Sequence, residues 1–170
     1  ISEADFTDQY GRMHQSAYDK ILRDLERFEN WPEGQKMIRE MLLHPHNTAA
    51  VAIRTEFSRK SPPDATPRES IGLYVGGFNE IVFNTDIMRS FEDGPYSQTG
   101  LGQPFVVLAH EVDHMLRLLL FPKGSIPQPI LVSAYEKLAR DRERLAVSEL
   151  NRQGMGPYTA RDAYFLHTPY

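Results

Sequence analysis

The chain has 170 residues, 41% of them hydrophobic and 25% charged, which is the composition of a globular protein large enough to bury a core in one domain spanning 1–170. A net charge of −4 gives no electrostatic footprint for nucleic acid, and no apolar run reaches the roughly 20 residues of a membrane span. The absence of cysteine excludes disulfides and thiolate ligands, so any metal must be held by His, Asp or Glu. No signal peptide opens the chain, and the start at Ile1 without Met is what a fragment or processed form would show.

In chain order, Ser2 to Asn30 reads as one long helix. Ser2 is placed to cap it, and Phe6, Tyr10, Met13, Ala17, Ile21, Leu25 and Phe28 recur at three- or four-residue steps as a core stripe. His14 beside that stripe is expected to pack or to face solvent, because no second ligand lies at helical spacing from it. Trp31-Pro32-Glu33-Gly34 breaks the pattern, Gln35 to Leu43 forms a second helix, and Pro45 ends it between His44 and His46. Those two histidines, in an irregular segment, are poor candidates for a metal site.

Ala49 to Phe57 alternates as a strand, and a polar loop from Ser58 to Ser70 follows. Ile71–Val75 and Glu80–Asn84 read as two further strands of a hairpin turned by Gly76-Gly77-Phe78-Asn79. The expected sheet is therefore small and mainly antiparallel. Asp86 to Phe91 has the look of a helical turn, and a glycine-containing loop from Glu92 to Gly102 leads onward.

Phe105 to Arg117 carries the strongest functional signal, a His110-Glu111-x-x-His114 motif inside an apolar run of helical length. Four residues apart on a helix, the two imidazoles lie on one face and can share a tetrahedral zinc ion at about 2.1 Å each. Glu111, one residue round, can reach a zinc-bound water as general base without ligating the metal. Burying two histidines behind Phe105-Val106-Val107-Leu108-Ala109 with no partner would be costly, which favours a metal over a chance spacing.

Pro122 stops this helix, and Leu131 to Gln153 reads as another, with most of its charges facing solvent. A catalytic zinc takes three protein ligands and a water. The histidine that a metzincin would supply downstream is missing, since position 120 is Leu120, so a glutamate of the later helix is expected. Glu143 is the leading candidate: the 29 residues after His114 leave room to reverse the chain, and Leu145, Ala146 and Val147 can hold it against the metal helix. Glu149 is the alternative, and Asp113 or Glu136 could orient a histidine through its free ring nitrogen.

These motifs resemble the NleD-type zinc metalloprotease effectors that bacteria inject into host cells. The likeness rests on His110-Glu111-x-x-His114, on Glu143-Arg144-Leu145-Ala146-Val147 with Glu149-Leu150-Asn151-Arg152, and on Arg161-x-x-Tyr164, covering about a third of the chain. It departs from the family at Asp113, where an apolar or small residue is expected. The resemblance implies His110, His114 and a glutamate of the 143–149 segment as zinc ligands, Glu111 as base, and Tyr164 as a further catalytic residue. It also implies a secreted effector or toxin, delivered to the cytoplasm of a host or target cell and acting on a protein substrate there. Together the readings give an α+β, zincin-like metallopeptidase with its sheet packed on the metal helix and further helices, expected as a monomer. Two other classes stay open: a zinc-containing interaction domain without catalysis, and a zinc hydrolase acting on a non-peptide amide.

Overall fold

The structure is a computed structural model and describes residues 1–45, 50–62, 71–75, 79–94, 96–120 and 128–161. It is a mixed α+β arrangement, mostly helical. The elements in order are α1 (Gln15–Asn30), α2 (Pro32–Leu43), β1 (Ala52–Thr55), β2 (Gly72–Val75), β3 (Glu80–Phe83), α3 (Thr85–Asp93), α4 (Pro104–Leu120) and α5 (Gln128–Arg152).

The single helix expected from Ser2 to Asn30 is instead a short 3-10 turn, Glu3–Phe6, followed by a tight reversal and then α1. Local side-chain chemistry causes the break. Asp8 accepts hydrogen bonds from the backbone N–H groups of Tyr10 and Arg12, and Gly11 sits at φ 75°, a left-handed value that costs glycine little. Thr7 then bridges to Met13. Ser2 caps only the 3-10 turn, through Asp5. The second helix starts at Pro32 rather than Gln35, with proline in the first turn, where its missing N–H costs nothing.

The sheet also differs from expectation. Its order is β1-β3-β2; β2 and β3 pair antiparallel as a hairpin should, but β1 runs parallel to β3. Alternation in a sequence marks a strand without stating its neighbour or direction, and here β3 takes the centre, with all four of its residues buried. The hairpin residues 76–78 lie outside the described residues.

α4 is the hub. Phe105 through Ala109 are all buried, and the helix packs against α1, α2, α5 and β2. Its first turn is capped across the fold: the buried Asp24 of α1 accepts from the Phe105 N–H at 3.0 Å, satisfying one of the donors a helix start leaves open. On the sheet side, Gly72 of β2 lies so close to α4 that a Cβ there would collide with Val107 Cγ1. Only glycine lets the strand approach this far. α5 covers the opposite flank, burying Ala139, Glu143, Ala146 and Leu150 along one stripe.

Candidate metal centre

His110 and His114 sit one turn apart on the face of α4 that meets α5, with Nε2 atoms 2.9 Å from each other. The carboxylate of Glu136, from the first half of α5, lies 3.0 Å from His114 Nε2 and 3.5 Å from His110 Nε2. These three residues form a group whose donor atoms all fall within 4.8 Å of one another. A tetrahedral zinc ion with ligand bonds of about 2.0–2.1 Å would separate its donors by about 3.4 Å, close to the spacing found. The donor set, two imidazole nitrogens and one carboxylate oxygen, is of a kind that zinc can take. The side of the group toward Glu136 and His114 is the open one, with side chains 21% and 19% exposed, whereas His110 is fully buried.

Glu143, the residue that spacing favoured as third ligand, stands elsewhere. Its Oε1 lies 2.6 Å from His110 Nδ1, on the far side of the ring from Glu136 and His114. Glu136 and Glu143 are two turns apart on one stripe of α5, and only the earlier one reaches the Nε2 side. A carboxylate at Nδ1 requires the proton there, which leaves the Nε2 lone pair facing the group. Glu143 is itself clamped by Arg161, whose Nε and Nη2 lie 3.0 and 2.6 Å from its two oxygens. Burial would raise the Glu143 pKa, but His110 and Arg161 outweigh it and hold the carboxyl below its usual value.

Glu149, the alternative ligand, is on another face of α5 and binds Arg152 and Gln153 instead. Asp113 orients no histidine; its Oδ1 accepts from Arg117 at 3.3 Å and Arg142 at 3.1 Å, and Arg142 also pairs with Glu33 of α2. The unusual acid between the histidines thus joins three helices. His14 pairs with Asp8 and lies against Phe57, as a packing histidine would. His44 caps the end of α2, while His46 and Tyr164 lie outside the described residues.

Glu111 is buried beside the histidines. Its Oε2 accepts from the Tyr74 backbone N–H at 2.7 Å, and its Oε1, also buried, has no hydrogen-bond partner among the described residues. Burial pushes its pKa up, against the pull of His110, His114 and the Tyr74 N–H. Burial alone would lower His114, but Glu136 and the neighbouring carboxylates outweigh it and raise its pKa. An unsatisfied buried acceptor costs about 1–3 kcal/mol, and a catalytic role, a bound water or an ion are the usual reasons for one.

Two contributors escaped the sequence reading in these roles, Glu136 as the carboxylate facing both Nε2 atoms and Arg161 as the clamp on Glu143. The seven-residue step from Glu136 to Glu143 was the available signal, since it puts both on one face of a helix. Comparison with known proteins adds nothing to this geometry: no family model, no curated protein and no solved structure matches the chain.

Proposed function

We propose that the protein is a zinc-dependent metallopeptidase of zincin-like fold in which His110, His114 and Glu136 hold the metal. The observation that carries this reading is the convergence of those three donors beside a buried glutamate oxygen with no partner among the described residues. Zinc held there would polarise a bound water and a scissile carbonyl. Glu111 takes the proton of the attacking water and returns it to the departing amine, and its buried setting keeps bulk water from competing for that proton. Glu143 and Arg161 fix the tautomer and orientation of His110. No helix among the described residues is long and apolar enough to cross a membrane.

The resemblance of the motifs to NleD-type effectors supports a protein substrate inside a host or target cell. The test is zinc stoichiometry by elemental analysis, together with cleavage of a denatured-protein mixture by the native chain and by Glu111→Gln. One zinc per chain in both, with turnover about 10²- to 10⁴-fold lower in the variant, is the expected result. A chain that takes up no zinc, or a variant as active as the native protein, overturns it.

A further inference from the structure

We infer that the backbone amide of Tyr74 is a positioning group for Glu111, dividing the two carboxylate oxygens between anchoring and proton transfer. The inference deepens the metallopeptidase reading and rests on it for the role of Glu111. Its geometry comes from the sheet. The Asn84 N–H bonds to the Ile71 carbonyl, which makes 71 and 84 a hydrogen-bonded pair of the β2–β3 ladder. In an antiparallel ladder such pairs alternate with non-bonded ones, so 72/83 and 74/81 are non-bonded pairs in the observed register. The Tyr74 N–H therefore faces away from β3.

Among the described residues β2 is an edge strand, and an edge N–H ordinarily goes to water or to another strand. This one goes to Glu111 Oε2 at 2.7 Å, a charge-assisted bond inside the fold. Holding one oxygen restrains the carboxylate, and Oε1 is left as the buried atom without a partner among the described residues. The approach that makes the bond possible depends on Gly72, whose missing side chain lets β2 close on α4 at Val107.

The experiment has two arms. In the first, NMR of the isotope-labelled native chain looks for a through-hydrogen-bond coupling between the Tyr74 nitrogen and the Glu111 carboxyl carbon. Amide exchange at Tyr74 is then compared with Glu111→Ala and Glu111→Gln. The coupling is expected, with exchange about 10- to 100-fold faster in Glu111→Ala while β3 amides hold, and partial protection restored by Gln. No coupling in the native chain overturns the inference, whatever the variants do.

The second arm measures kcat and KM of zinc-loaded protein on denatured casein. Tyr74→Pro removes an N–H that the sheet does not use, and proline is tolerated on such an edge; Tyr74→Ala keeps the N–H. Expected is a kcat about 10²-fold lower for Tyr74→Pro than for Tyr74→Ala, which share the loss of the side chain and differ in the N–H, with KM and zinc stoichiometry alike in the two. Equal kcat in both variants overturns the positioning role. A native chain that binds no zinc or leaves casein intact would overturn the metallopeptidase reading instead, and the coupling would still decide the amide.

Discussion

Glu136 and Glu143, seven residues apart on α5, address the two different nitrogens of one imidazole: Glu136 lies 3.5 Å from His110 Nε2 and Glu143 lies 2.6 Å from His110 Nδ1. Two residues of one type, on one helix face, are thereby given different tasks by the side of the ring they reach.

The first prediction follows from that division. Glu136→Ala should nearly abolish zinc binding, whereas Glu143→Ala should weaken it about 10- to 100-fold. Competition against a chelator of known affinity measures both. The reverse order would return Glu143 to the metal.

The second concerns the clamp. Arg161 and Glu143 are both buried, so Arg161→Met leaves a carboxylate without its cation and should destabilise the fold by about 3–5 kcal/mol. Urea denaturation of the metal-free proteins reads this directly. A loss under 1 kcal/mol would mean that His110 alone satisfies Glu143.

The third tests the close approach of sheet and helix. Gly72→Ala puts a methyl group against Val107 and should cost about 1–3 kcal/mol. Because β2 must back away from α4, the Tyr74 amide signal should shift in the same variant. A stable variant with an unmoved amide would show that Val107 can yield.

The fourth is a pH dependence away from the metal. Hydrogen bonds from Arg152 depress the Glu149 pKa from 4.5 to about 2. A carboxyl depressed in the folded state contributes stability above its unfolded pKa and loses it as pH falls through the folded one. Glu149→Gln should therefore lower Tm above pH 4.5, with the difference shrinking toward pH 2. A difference independent of pH would assign the effect to packing.

Much of the candidate site was legible because His110, Glu111 and His114 lie within one turn of one helix, where spacing alone decides what faces what. The helix was equally plain, since Phe105 to Ala109 leaves no polar face on its approach to the motif. The choice between Glu136 and Glu143 was not legible. Both occupy the same stripe of α5, and which one meets Nε2 depends on how far α5 slides along α4, a quantity set by packing across the whole interface. The parallel pairing of β1 with β3 was hidden for a similar reason: alternation in 49–57 marks a face but no neighbour. At the start of the chain, apolar spacing from Phe6 to Phe28 predicts one helix, and the Asp8 and Gly11 turn chemistry overrides it.

The pairing of α4 with α5 bears on the order of assembly. Every group proposed to hold the ion comes from α4 and α5, helices adjacent in the chain, and close pairings of that kind form early because little loop entropy opposes them. The anchor on Glu111 comes from β2, on the other side of α4, and is in place only once the sheet has docked. On the proposed reading, ion capture and competence for turnover would therefore mature separately. A folding chain with its helical hairpin formed and its sheet still loose would carry the metal while remaining inert.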